Sequence, residues 1–311
     1  MQHHIRGLAV VGLMVTPVMA SSSVLRQQPV EAAPTDASPR VFADSRLIVR
    51  DRISIEVVGR GPDIVMIPGL ASSRETWRAT AERLRANYRL HLVQVAGFAG
   101  EPVRGNATGE FFAPVVADIA AYLATLGKPA TVMGHSLGGT FGLDLIQRHP
   151  KLVSRLLVVD ALPFFGVVMA GPAATIDTVR PMVEAMSRAP ATRMSDARTM
   201  MAQMATAPVD VDRISHWSRL SDPAVVSKAI REDMLADLRP GLRAVRVPVT
   251  VLYETPLTPL MIAGYASLQG STLVEVPQAK HFIMYDQPAR FEAEVDDFLK
   301  RDYDGFQRHK G

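Results

Sequence analysis

The chain has 311 residues, with 34 Lys and Arg against 31 Asp and Glu for a formal charge of +3. It contains no cysteine, which excludes a disulfide framework, thiolate zinc or iron–sulfur ligation, a lipid-bearing cysteine and a cysteine nucleophile. Charged residues at 21% and hydrophobic residues at 48% exclude disorder or coiled coil as a description of the whole chain, and so small a net charge offers no field suited to nucleic acid.

Residues 1–20 carry the three parts of a secretory signal: Arg6, an apolar stretch over 7–15, and Val18, Met19 and Ala20 ahead of a serine run. The stretch is short for a membrane helix and Pro17 interrupts it. Export to the periplasm or the medium is therefore expected, with cleavage after Ala20 and no stable membrane span afterwards. Residues 21–43 are Ser-, Gln-, Pro- and Ala-rich without hydrophobic periodicity, and are expected to be a flexible leader. The folded domain is expected over 44–311.

From there short apolar runs alternate with helical spacing, the pattern of a largely parallel sheet covered by helices on both faces. Residues 46–49 and 53–58 read as an edge strand pair, and 63–67 as a buried strand stopping at Pro68 and Gly69. A helix is predicted over 76–86, a strand over 91–95, a helix over 115–126 and a strand over 130–133. A helix then runs to His149, and a strand over 156–159 ends at Asp160. Over 161–246 no strand is predicted, only helical stretches cut by prolines, with seven of the fifteen methionines between Met169 and Met204. Strands resume at 248–253 and 273–276, and 290–299 closes the pattern as a helix. The segment 161–246 is thus an insertion between two strands of one sheet.

Gly134, His135, Ser136, Leu137 and Gly138 form a G-x-S-x-G sequence between an apolar strand and a helical pattern, the context of a nucleophile elbow. Glycines at those two places let a sharp strand-to-helix turn hold the serine in a strained conformation. A serine hydroxyl needs a base, and His281 follows the last strand after a short loop. Of the other histidines, His91 sits in a strand, His149 at a helix end and His135 inside the elbow. His216, beside Trp217 in the insertion, either lines the pocket or packs.

With Pro68, Gly69 and Trp77, with Gly97 and Phe98, and with His281, Phe282, Asp286, Gln287 and Pro288, these motifs resemble the α/β-hydrolase superfamily over most of 46–300. The resemblance implies a mostly parallel eight-stranded sheet with helices on both faces and a helical lid at 161–246. It implies a triad in which Ser136 attacks and His281 carries the proton, with backbone N–H groups of Leu70 and Leu137 binding the oxyanion. The usual place for the acid lies beyond Tyr253, where Glu254 is followed by Thr255, Pro256 and Leu257 and no aspartate comes after. Asp160 and Glu254 both keep the order serine, acid, histidine; Asp160, which some relatives use, is favoured.

The chain lacks H-E-x-x-H, a Walker A pattern and a complete G-x-G-x-x-G, so neither metal nor nucleotide cofactor is expected. Methionines and phenylalanines in the insertion suit an apolar pocket or plain packing, and Arg180, Arg188, Arg193 and Arg198 read as a solvated face. The expected function is a serine hydrolase of small-to-medium apolar carboxylic esters. A lactonase or cofactor-free perhydrolase would use the same residues, and a binding protein with a decayed triad is the alternative of another class.

Overall fold

A computed structural model of the chain describes residues 40–188 and 197–301. The signal expected over 1–20, residues 21–39 of the expected leader, and Arg193 lie outside the described residues. The last residues of that leader belong to the fold. Val41 and Phe42 are buried, and their backbone N–H groups each donate to the Glu56 carboxylate at 2.7 Å.

Eight strands make one sheet: β1 (Arg46–Val49), β2 (Ile53–Gly59), β3 (Asp63–Ile67), β4 (Arg89–Val95), β5 (Ala130–His135), β6 (Val153–Val159), β7 (Val249–Glu254) and β8 (Thr272–Val276). Their spatial order is β1-β2-β4-β3-β5-β6-β7-β8. β2 runs antiparallel to β1 and β4, and every other pairing is parallel. Parallel neighbours need crossovers, and helices supply them: α1 (Arg78–Leu84), α2 (Phe112–Ala124) and α3 (Leu137–Arg148) in the first half. Between β6 and β7 stand α4 (Val167–Ala170), α5 (Ile176–Arg188), α6 (Ala197–Met201), α7 (Pro208–Leu220) and α8 (Pro223–Leu235). The second half adds α9 (Thr258–Tyr265), α10 (Ile283–Asp286) and α11 (Pro288–Lys300).

Strand side chains alternate between two cores, as the two-residue period requires. Val65 and Ile67 of β3 pack with Val115 and Ile119 of α2 and Phe141 of α3; Ile64 and Met66 pack with Leu84 of α1 and Phe291 and Val295 of α11. Both faces are covered, so the central strands read as continuous apolar runs. The parallel strands all end on the same edge of the sheet, and the helices between β6 and β7 meet that edge. The Asp222 N–H donates to the Gly97 carbonyl at 2.7 Å, and the Ala99 N–H to the Ser221 hydroxyl at 2.8 Å. No helix among the described residues is long and apolar enough to cross a membrane.

Candidate active site

One residue, Ser136, separates β5 from α3. It sits at φ 52° and ψ −124°, a conformation that a residue with a side chain holds only where its surroundings impose it. Its N–H donates to the Val159 carbonyl at 2.9 Å, and its own carbonyl accepts from Gly139 and Thr140 at 2.7 and 3.1 Å. A Cβ on Gly134 would fall on the Gly138 carbonyl, and one on Gly138 would fall on the carbonyls of Ile67 and Pro68. Close backbone approach is therefore why both glycines flank the serine. The turn presents Ser136 to a cavity of about 400 Å³.

Asp160 caps the neighbouring strand. Val159 pairs with Leu252 across β6 and β7, and the Asp160 N–H continues the ladder to the Leu252 carbonyl at 2.8 Å. The residue then turns at φ 51°, which carries its carboxyl to the imidazole of His281: Asp160 Oδ2 lies 2.7 Å from His281 Nδ1. The other oxygen, Oδ1, accepts the Glu254 N–H at 3.0 Å. Of the two acids left open by the sequence, Asp160 is the one hydrogen-bonded to the histidine. Glu254 contributes its backbone N–H to that carboxylate, while its side chain borders the same cavity.

The electrostatics follow from this arrangement. A carboxylate only accepts, so His281 Nδ1 carries the proton and Nε2 is the ring's free base. Burial by itself would lower the His281 pKa, but the hydrogen bond and charge of Asp160, with the charge of Glu254, outweigh it and hold the pKa above the ordinary histidine value. Burial pushes the Glu254 carboxyl up to about 7, and the neighbouring Asp160 charge adds to the effect.

Two features of the site carry no sequence signature. His135, inside the elbow, is fully buried with its ring 4.7 Å from that of His281, and its Nε2 lies 3.0 Å from the His281 carbonyl. Burial, aided by His281, keeps its pKa well below the ordinary value, so the ring is neutral and Nε2–H is the donor. The loop carrying His281 is also tied to the insertion. The Phe282 N–H donates to the Met204 carbonyl at 2.9 Å, and Lys280 Nζ to the Ala202 carbonyl at 2.6 Å. The Asp286 carboxylate accepts the N–H groups of both Lys280 and Thr206, at 2.8 and 2.7 Å. Asp286 stands four residues past Phe282 and belongs to the motif that carries the resemblance, but its bond to the insertion has no mark until the chain is folded.

Leu70 and Leu137 both border the cavity. Leu137 is the first residue of α3, so its N–H has no partner four residues back within the helix, and the helix dipole favours negative charge there. Ala71, next to Leu70, is a third cavity residue with positive φ, at 52°. Ala71, Ser136 and Asp160 thus concentrate backbone strain at one place, where function is commonly carried.

The insertion supplies most of the apolar wall, through Phe165, Val168, Met169, Met201, Met204 and Ile214. His216 is exposed and does not line the cavity, so of its two readings packing at the surface is the outcome. Met182 is exposed and Met186 packs on the main core, leaving only part of the methionine stripe in the cavity. Arg180 is exposed and Arg198 pairs with Asp212 at 2.8 Å, as a solvated face would have them. A hydroxyl, a free imidazole nitrogen, a buried carboxylate and backbone donors around one apolar cavity together suit acyl transfer.

Residues 64–294 match a family model described as the alpha/beta hydrolase family. Among curated proteins, the pimeloyl-[acyl-carrier protein] methyl ester esterase of Aeromonas hydrophila is 33% identical over 113 residues, covering 36% of this chain and 43% of that protein. The match thus spans less than half that relative's length. The esterase of the same name from Chromobacterium violaceum is 29% identical over 249 residues, 75% of this chain and 93% of that protein. Among solved structures, a hydrolase from Pseudomonas aeruginosa PA01 superposes with a TM-score of 0.68 at 19% identity, over 83% of this chain and 99% of that one.

Proposed function

Because the chain belongs to the alpha/beta hydrolase family, we propose that it is a serine hydrolase of carboxylic esters with an apolar acyl group of small to medium size. The observation that carries the proposal is the hydrogen bond of 2.7 Å from Asp160 to His281, on a cavity shared with a strained Ser136. In this reading Ser136 Oγ attacks the ester carbonyl carbon as its proton passes to His281 Nε2. The negative oxygen so formed accepts hydrogen bonds from the N–H groups of Leu70 and Leu137. Collapse breaks the bond to the alcohol, which leaves with the proton from His281. Water then attacks the acyl-serine by the same route, His281 taking its proton and returning it to Ser136. Asp160 holds the imidazole in the tautomer that makes Nε2 the base and stabilises its cationic form.

A volume of about 400 Å³ with a largely apolar wall supports that substrate class. The curated relatives are named for the methyl ester of an acyl group, and a small alcohol on an extended acyl chain suits this cavity as well. The test is a panel of methyl and p-nitrophenyl esters of graded acyl length, run with a serine-directed fluorophosphonate. Ser136→Ala is expected to lower kcat/KM on the order of 10⁴-fold and to abolish the covalent adduct. Ester turnover that survives in Ser136→Ala, or a wild-type protein that neither reacts with the probe nor cleaves any ester, would overturn the proposal.

A further inference from the structure

Among the described residues three carboxylates border the cavity, Asp160, Glu254 and Asp233, and no lysine or arginine does. The first two belong to the arrangement around His281. Asp233 has no part in it. It projects from α8, the last helix of the insertion, between Ile230 and Met234, which also line the cavity.

The Thr140 side chain lies beside the Asp233 carboxyl, and Oδ1 is wholly buried with no hydrogen-bond partner among the described residues. Packing of α8 leaves that oxygen without a partner. A buried polar atom left unpaired is costly, so one at a cavity calls for a partner that the packing does not supply. Burial also pushes the Asp233 carboxyl up to about 7, against the opposing effect of the nearby Thr140 side chain. Near neutral pH the group therefore offers acceptor oxygens in both its neutral and its ionised form.

Its position relates it to the reaction. The Thr140 N–H donates to the Ser136 carbonyl, which places Thr140 one helical turn beyond the serine, about 6 Å along the axis. Asp233 therefore stands at a short chain's length from the reacting carbonyl, on an otherwise apolar path.

We infer that Asp233, which borders the cavity with Thr140, is a specificity-determining residue that selects esters bearing a hydrogen-bond donor, a hydroxyl or an ammonium, a few bonds from the scissile carbonyl. The inference rests on the ester-hydrolase reading. It also predicts discrimination against a terminal carboxylate, which would meet Asp233, Asp160 and Glu254 with no lysine or arginine among the described residues of the lining.

The experiment measures kcat/KM on methyl esters of straight-chain acids from butanoate to octanoate, each ending in methyl, hydroxyl, ammonium or carboxylate. Wild type, Asp233→Asn and Asp233→Leu are compared. At one chain length the wild-type protein is expected to prefer a donor-bearing ester over the methyl-terminated one by about tenfold, and to disfavour the carboxylate most. Asp233→Leu should erase that ratio within the same variant. Asp233→Asn, which keeps an amide oxygen, should retain a preference for hydroxyl and lose one for ammonium. That arm distinguishes the two donors. If the methyl-terminated ester is preferred at every length, or if both variants lower all four forms by the same factor, the inference is overturned while the hydrolase reading stands. If no ester is cleaved, both fall.

Discussion

A carboxylate that orients an imidazole works only if its own position is fixed, and Asp160 is fixed three times over. Its N–H is bound to Leu252, its Oδ1 to the Glu254 N–H, and its backbone turns at φ 51°. Asp160→Asn is expected to lower kcat by about 10³- to 10⁴-fold, because an amide can donate to Nδ1 and favour the wrong tautomer. Glu254→Gln keeps the backbone donor and should cost less than about tenfold. It should also move the acid limb of the pH profile. His281 must be neutral to act as base, so kcat/KM rises with pH through its pKa, which lies above the ordinary value of about 6.5. Removing the Glu254 charge destabilises the imidazolium and lowers that pKa, so the limb shifts to lower pH. A kcat/KM profile in which Glu254→Gln leaves the limb unmoved or raises it would contradict this, as would a larger loss for Glu254→Gln than for Asp160→Asn. In the sequence each acid ends a strand and each precedes His281, and only the resemblance favours Asp160. What separates them is the β6–β7 register and the turn at Asp160, neither of which has a local signature.

At the level of elements, the elbow depends on how closely β3 and α3 approach. A Cβ at Gly138 would meet the carbonyls of Ile67 and Pro68, at the end of β3 that leads into Leu70. Gly138→Ala must therefore push α3 away from one proposed oxyanion donor while carrying the other. The expected result is a stability loss of about 1–3 kcal/mol, as overpacking gives. The loss in kcat should be a hundredfold or so larger than in KM, since the two donors bind the transition state more than the substrate. Thermal unfolding and steady-state kinetics on one preparation check both; a fully active variant would mean that the glycine is incidental. This element was legible because glycine, an apolar strand and a helical period coincide there. The same reasoning missed α9. No element is predicted there, and Pro259 stands in the first turn of that helix, where its missing N–H has no helical partner to lose. The central strands were legible for the opposite reason: covered on both faces, they leave no room for polar residues.

Across the whole molecule, a chain without cysteine must secure its outer strands by other means, and β2 does so with a buried charge cluster. Arg74 and Glu56 are both buried, 3.7 Å apart, and Arg74 reaches Glu101 at 3.8 Å. Glu56 also accepts from the N–H groups of Val41 and Phe42 and from the Ser45 hydroxyl, each at 2.7 Å. One carboxylate thus ties residues 41–45 to the sheet and neutralises a buried guanidinium. This is why a segment with the composition of a leader is ordered: its anchor lies some fifteen residues downstream, beyond any local window. Breaking such a pair from one side leaves an uncompensated buried charge, worth about 3–5 kcal/mol. Glu56→Ala is therefore expected to lower Tm on the order of 10 °C in a domain of this size. It should also free residues 40–45, so that trypsin cuts after Arg46 under native conditions much faster than in the wild type. Glu56→Gln, which keeps one acceptor but no charge, should fall between the two in both measurements. Equal Tm and equal cleavage rates in all three proteins would show that apolar packing of Val41 and Phe42 holds the segment without the carboxylate.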